Sequence, residues 1–117
     1  MKEAGTLSVN VSLQLISYSE EGYRVLYSPA LDLYGYGNDL EEAKKSFHFA
    51  VEEFLRYTLE NQTIFKELKK CGWKMRNNRI HAPNFDQIVK KNKMVSELLS
   101  RPGLDREFEE IKIPAFA

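Results

Sequence analysis

Few residues in this sequence are arranged for acid–base or metal-dependent chemistry. The chain has two histidines, His48 and His81. His48 lies between two phenylalanines, and His81 has no nucleophile or acid at a recognisable spacing. A metal-dependent nuclease needs several inward-facing carboxylates, and the predicted strands supply only Asp32, because Glu20 and Glu21 fall at a turn. We therefore predict no catalytic residues and a protein that is not an enzyme.

The sequence does not indicate a metal or cofactor site either. Cys71 is the only cysteine, so neither a disulfide nor a multi-cysteine zinc site can form within one chain. Gly35 and Gly37 precede a predicted helix and permit backbone angles that side chains forbid. The acids at the start of that helix, Asp39 and Glu41, would repel a phosphate there. No metal and no cofactor are predicted.

Tyrosines and acids cluster in the first third of the chain. The tyrosines are Tyr18, Tyr23, Tyr27, Tyr34 and Tyr36. Aromatic rings supply contact area with few rotatable bonds, and nearby acids attract basic partners. The predicted partner-binding residues are Tyr34, Tyr36, Asp32, Glu20 and Glu21. The alternative is that the tyrosines edge the core with their hydroxyls in water.

The net charge is zero but unevenly distributed. Residues 1–65 carry 5 basic and 10 acidic side chains, net −5, whereas residues 66–93 carry 9 and 2, net +7. The acidic part would attract a basic protein and repel nucleic acid. The basic part could contact phosphates through Lys90, Lys91 and Lys93. It could equally be a solvated face that neutralises the acidic part.

An antiparallel sheet is predicted to position these residues. Apolar and polar residues alternate from Thr6 to Leu15, which is typical of a strand with one face buried and the other in water. Two further strands are predicted at Tyr23–Tyr27 and Leu31–Tyr36, with Pro29 between them. In the third strand a period of two places Asp32 on the same face as its two tyrosines.

Helices are predicted after the sheet. Apolar residues recur at helical spacing from Leu40 to Leu59. Asp39 is predicted to cap this helix, and Glu42 to complete a capping box. A second helix at Thr63–Cys71 and a short fourth strand near Met75 follow.

The last third of the chain is predicted to hold a helix at Phe85–Leu99 and a strand at Phe108–Ile113. Because strands do not alternate with helices, the fold class is α+β. We expect a three-stranded antiparallel meander plus a short fourth strand packed on a long helix, with a C-terminal helix and strand. Residues 1–79 form the predicted main domain, and residues 80–117 an extension packed on it or on an oligomer mate.

A proline corner, a glycine turn and an acidic helix start follow one another in the sequence. The residues are Pro29, Leu31, Tyr34, Gly35, Gly37, Asp39, Leu40, Glu41, Glu42 and Ala43. This pattern resembles the HicB antitoxin family over about Thr6–Met75. The resemblance implies a β-β-β-α-β core with a partial ribonuclease H-like fold. It also implies that the protein masks a small basic HicA-type toxin, which cleaves messenger RNA, by covering its catalytic surface.

HicB antitoxins usually carry a C-terminal helix-turn-helix or ribbon-helix-helix module for DNA. A helix-turn-helix joins its helices through about 3–4 residues, whereas Gly72–Asn84 separates the second and third helices predicted here. Chain predicted to be extended follows the third helix, so a ribbon-helix-helix is not indicated either. Whether the protein binds DNA therefore stays open.

Two other functions are compatible with the sequence. One is a homo-oligomeric module without a toxin, whose last strand is an unpaired edge open to strand addition. The other is a nucleic-acid binder or transcriptional regulator that uses residues 66–93. No apolar run approaches the roughly 18 residues needed to span a bilayer, and the N-terminus lacks a signal-peptide pattern. We expect no membrane association and a cytoplasmic location.

Overall fold

A computed structural model describes residues 8–77 and 79–114 of the chain. Their elements follow in the order β1 (Ser8–Glu20), β2 (Tyr23–Ser28), β3 (Leu33–Gly37), α1 (Leu40–Glu60), α2 (Ile64–Lys70), β4 (Lys74–Arg76), β5 (Arg79–His81), α3 (Phe85–Lys91), α4 (Lys93–Leu99) and β6 (Asp105–Pro114). This arrangement confirms the predicted α+β class.

The main sheet has four antiparallel strands in the order β3-β2-β1-β6. The predicted meander of β1, β2 and β3 is confirmed, with Tyr18 opposite Val25 and Val25 opposite Tyr36. Residues 6 and 7, where the first strand was predicted to begin, lie outside the described residues.

The fourth strand of this sheet comes from the C-terminal segment. β6 pairs with β1 along its whole length, from Asp105 opposite Ser17 to Pro114 opposite Ser8. The short strand predicted near Met75 does form, as β4, but it pairs with β5 in a separate hairpin. The predicted division after residue 79 falls inside that hairpin.

The long helix α1 begins as its sequence predicts and covers one face of the sheet. The Asp39 carboxylate accepts a hydrogen bond from the Glu42 backbone N–H at 2.9 Å. The Glu42 carboxylate in turn accepts one from the Asn38 backbone N–H at 2.8 Å, one residue before the position predicted. Ala43 and Phe47 of α1 are fully buried against the sheet.

Two glycines let α1 approach β3 closely. A Cβ atom on Gly35 would lie 2.6 Å from the Phe47 backbone nitrogen, and one on Gly37 would lie 2.5 Å from the Ala43 nitrogen. Both glycines belong to β3 or its end, and neither has a positive φ. The prediction that they form a turn with unusual angles is therefore wrong. They are required because a side chain would separate the helix from the sheet.

The opposite face of the sheet is also covered, mainly by α4. Val95 and Leu98 of α4 pack with Ile16, Tyr18 and other apolar side chains of β1 and β2. The prediction of one buried face and one face in water is therefore wrong, because Leu15 and Ile16 point to opposite faces and both are fully buried. Helical spacing alone does not show which side of a sheet a later helix will cover.

The helix predicted at Phe85–Leu99 is divided into α3 and α4 at Asn92. Asn92 has φ −112° and ψ 106°, which is extended backbone. Its side-chain oxygen accepts a hydrogen bond from the Val95 backbone N–H at 3.2 Å, so it caps the new helix. The apolar spacing continues across the break, which is why the sequence favoured a single helix.

Candidate functional site

The tyrosines of the meander share one face of the sheet, which we call the tyrosine side. The strand register places Tyr18, Tyr23 and Tyr27 on this face together with Tyr34 and Tyr36. It is the face opposite α1. The predicted orientation of Tyr34 and Tyr36 is confirmed, since Leu31 and Leu33 pack in the core on the α1 side.

Three of these rings form a stacked row. The Tyr27 and Tyr34 ring centroids are 4.4 Å apart, and those of Tyr34 and Tyr36 are 6.0 Å apart with an angle of 11° between the planes. Exposure increases along the row, since Tyr27 is 1% exposed, Tyr34 is half-buried and Tyr36 is 56% exposed. The row therefore runs from the core to the surface, and a partner can reach only its outer end.

Asp32 lies at the buried end of this row, in the turn between β2 and β3. The predicted placement within a strand is wrong, because Asp32 has a φ of 56° and its N–H donates to the Ser28 carbonyl at 2.7 Å. Its carboxylate accepts a hydrogen bond from the Tyr27 hydroxyl at 2.9 Å. Burial is the largest of the causes that raise the pKa of Tyr27 well above its ordinary value, and this hydrogen bond is the second.

A tryptophan on the α1 side of the sheet holds the turn that carries Asp32 through a hydrogen bond. Trp73 is 2% exposed, and its indole N–H donates to the Ala30 carbonyl at 2.7 Å. Trp73 directly precedes β4 and packs in the core on the α1 side. Trp73, in the core on the α1 side, thus helps to position the Asp32 carboxylate, which lies toward the tyrosine side.

The other predicted contact residues meet at the free corner of the sheet. Glu20 lies opposite Tyr23 in the register, and Glu21 follows in the β1–β2 turn. Tyr36 of β3 lies opposite Val25, which is two residues from Tyr23 along β2. We call this set the acidic corner: Glu20, Glu21, Tyr23 and Tyr36. Tyr23 was missing from the predicted contact residues, although it is 55% exposed. The alternation of β2 already placed it on the face of Tyr27.

One arginine packs against the acidic corner. The Arg101 guanidinium lies 3.4 Å from the Glu20 carboxylate and 5.5 Å from the centroid of the Tyr18 ring. Both ionic side chains are 53% exposed, so the pair contributes only about 0–1 kcal/mol to stability. Among the described residues, Glu21 has no ion-pair partner.

The free edge of β3 is blocked beside the corner. The Tyr36 backbone N–H donates to the Ser46 hydroxyl of α1 at 3.1 Å. A backbone donor satisfied in this way is not available to an added strand. The rings of Tyr23 and Tyr36, in contrast, lie on the face opposite α1 and remain accessible.

The predicted basic residues Lys91 and Lys93 line a groove of about 910 Å³ at the buried end of the tyrosine row. Tyr27, Tyr34 and Asp32 line the same groove. We call it the lysine groove: its lysines are Lys70, Lys74, Lys91 and Lys93. Lys90 is exposed on α3 and does not line it. The predicted protein contact and the predicted phosphate contact therefore adjoin each other.

Sequence reasoning missed Lys70 and Lys74 in this groove. Both belong to the basic segment 66–93, but only the tertiary fold brings them to Lys91 and Lys93. Cys71 also lines the groove, and burial raises the pKa of its thiol. A raised pKa favours the neutral thiol over the reactive thiolate.

The tail strand is not unpaired, as the oligomer hypothesis assumed, because β6 pairs with β1 of the same chain. Two side chains of α1 also interact with a carboxylate of β6. The His48 ring nitrogen lies 2.7 Å from the Glu109 carboxylate, and the Lys44 ammonium lies 3.5 Å from it. His48 therefore joins a helix to a strand at the edge of the α1 side.

Residues 8–77 and 79–114 contain no group of three or more histidine, cysteine or acidic side chains that could hold a metal ion. Within the same residues, no helix is long and apolar enough to cross a membrane. Comparison of the chain with protein-family models, with curated proteins and with solved structures found no match.

Proposed function

We propose that this protein binds a small basic protein at its acidic corner and masks that partner's active surface. The resemblance to HicB antitoxins suggests a HicA-type RNA-cleaving toxin as the partner. The observation that carries the proposal is the exposure of Tyr23 and Tyr36, at 55% and 56%, beside the carboxylates of Glu20 and Glu21.

Exposed tyrosines suit a protein interface for a physical reason. Each ring offers a large apolar area and a hydroxyl, and only two side-chain torsions are ordered on binding. Tyr36 is also held in place by its stack on Tyr34. A ring that is already ordered loses little entropy when a partner covers it.

The charge around the corner favours a basic partner. Residues 1–65 have a net charge of −5, and Glu21 is exposed without an ion pair in the described part of the chain. Acids at the rim of an interface mainly raise the association rate with a basic protein. The tyrosines would then supply most of the binding energy.

The test is a ribonuclease-inhibition assay with a purified HicA-type toxin and a labelled messenger RNA. Wild-type protein at equimolar concentration is expected to suppress cleavage. The double variant Tyr23→Ser, Tyr36→Ser should require at least about tenfold more protein for the same suppression. The control is Tyr57→Ser, because Tyr57 is 65% exposed on α1 and away from the tyrosine side.

The proposal fails if the wild-type protein leaves toxin activity intact at every ratio. It also fails if Tyr57→Ser weakens suppression as much as the double variant. A dependence on salt is expected as well, since association steered by charge slows as ionic strength rises.

A further inference from the structure

The lysine groove has the charge of a binding site for an anionic chain. Its lining includes four lysines and one acid, Asp32, whose carboxylate already accepts a hydrogen bond from Tyr27. Lys70 forms an ion pair with Glu67 at 3.5 Å. Within residues 8–77 and 79–114, Lys74, Lys91 and Lys93 have no carboxylate within 4.0 Å. The groove therefore carries uncompensated positive charge.

Two separate parts of the chain supply these lysines. Lys70 and Lys74 flank the end of α2, and Lys91 and Lys93 flank the break between α3 and α4. In a continuous helix two residues separated by one position point about 200° apart. The extended backbone at Asn92 removes that constraint, so both Lys91 and Lys93 can line one groove. The helix break thus contributes directly to the site.

Tyrosine rings line the groove together with the lysines. Tyr27 and Tyr34 both border it, and Tyr34 stacks on toward the exposed Tyr36. Lysines that follow a phosphate backbone, combined with aromatic rings that contact bases, are the usual elements of single-strand recognition. An acidic peptide would use the lysines but would gain little from the stacked rings.

The shape distinguishes single strands from duplexes. The site is a concave groove of about 910 Å³ beside the sheet. Reading duplex DNA in its major groove requires a protruding helix or ribbon. Here the four lysines line a recess and do not project together from one exposed helix face.

We propose that the lysine groove binds single-stranded nucleic acid, with phosphates on the four lysines and bases against the outer end of the tyrosine row, at Tyr34 and Tyr36. This activity goes beyond masking of a protein and does not depend on it. A toxin experiment can therefore fail while this one succeeds, and the reverse.

The test is fluorescence anisotropy of the full-length protein with a labelled uridylate oligonucleotide of about 12 nucleotides. The groove variant is Lys91→Glu, Lys93→Glu. The control is Lys45→Glu, Lys66→Glu, which makes the same change in net charge at exposed lysines outside the groove. Because all four side chains are exposed, both variants should fold, which circular dichroism checks.

Wild-type protein is expected to bind, and the groove variant to bind at least about tenfold more weakly, with the control within about threefold of wild type. The slope of log affinity against log salt should fall by about 1.4 in the groove variant, since each single-strand phosphate contact contributes about 0.7. Duplex DNA of the same length should compete poorly.

Three results would overturn the proposal. The first is no binding of the oligonucleotide at low salt. The second is an equal loss in the groove and control variants, which would indicate a general charge effect. The third is displacement of the oligonucleotide by a polyglutamate peptide at equal charge concentration, which would assign the groove to an acidic protein segment.

Discussion

The two sides of the main sheet are built differently. On the α1 side, a helix of 21 residues lies directly on the strands, and two glycines of β3 make room for it. On the tyrosine side, two helices of seven residues cover only the centre of the sheet. The α1 side is therefore sealed, and the tyrosine side is open at both ends of its stacked row.

The difference indicates which side is available for binding. A sealed side contributes to stability through close packing and cannot admit a ligand without unfolding. Tyr36 is exposed near the acids at one end of the stacked row, and the lysines of the groove lie at its other, buried end. On the two proposals made above, binding uses the tyrosine side, and the α1 side contributes to stability.

Replacing Gly35 with alanine should damage the sealed side most. The new Cβ would lie 2.6 Å from a backbone nitrogen of α1, so the helix must move and the packing of Phe47 is disrupted. We expect a loss of about 3 kcal/mol or more in the free energy of unfolding, measured by urea denaturation. Gly22→Ala is the control, because Gly22 has a φ of 86° but open space around its Cα, and should cost about 1–2 kcal/mol. Equal losses would contradict the account.

Trp73→Phe should have the next largest effect, and it should affect both sides of the sheet. The variant removes the 2.7 Å hydrogen bond to the Ala30 carbonyl and leaves that buried group without its donor. We expect a loss of about 1–3 kcal/mol in unfolding free energy and weaker oligonucleotide binding, because the released turn forms part of the groove wall. An unchanged denaturation midpoint would show that the turn is held by other contacts.

Tyr27→Phe should mainly change how stability depends on pH. Burial, and then the hydrogen bond to Asp32, raise the pKa of Tyr27 above its ordinary value of 10.0. Because the folded state then keeps a proton that the unfolded chain releases, this stability is present below about pH 10 and is lost as the pH rises further. Wild-type protein should therefore lose more stability between about pH 9 and pH 11 than Tyr27→Phe does. Parallel losses in urea denaturation would contradict this assignment.

The sequence was sufficient for the local elements. The three strands of the meander and the Asp39 cap depend on neighbouring residues, and they form as predicted. The second bond of the capping box also forms, but to Asn38, one residue before the position predicted. The predicted role of Gly35 was wrong. Glycine is required there because a side chain would collide with Phe47, twelve positions away, and not because of the backbone angles of Gly35. The division at Asn92 was missed because the apolar spacing continues across it.

The candidate site could be predicted only in pieces. Tyr34, Tyr36 and their face follow from a period of two, but the joining of Lys70 with Lys93 depends on how α2 and α4 pack. Asp32 was placed in a strand because the alternation around it favoured one, although aspartate is among the residues that tolerate a positive φ. The periodicity of the sequence does not predict contacts between distant segments.

The most direct test of the central claim is hydrogen–deuterium exchange of the protein with and without a purified HicA-type toxin. We predict slower exchange in the toxin complex at the β1–β2 turn and along β2 and β3, which carry Tyr23 and Tyr36, with α1 unchanged. Slower exchange confined to α1, with the acidic corner unaffected, would contradict the account.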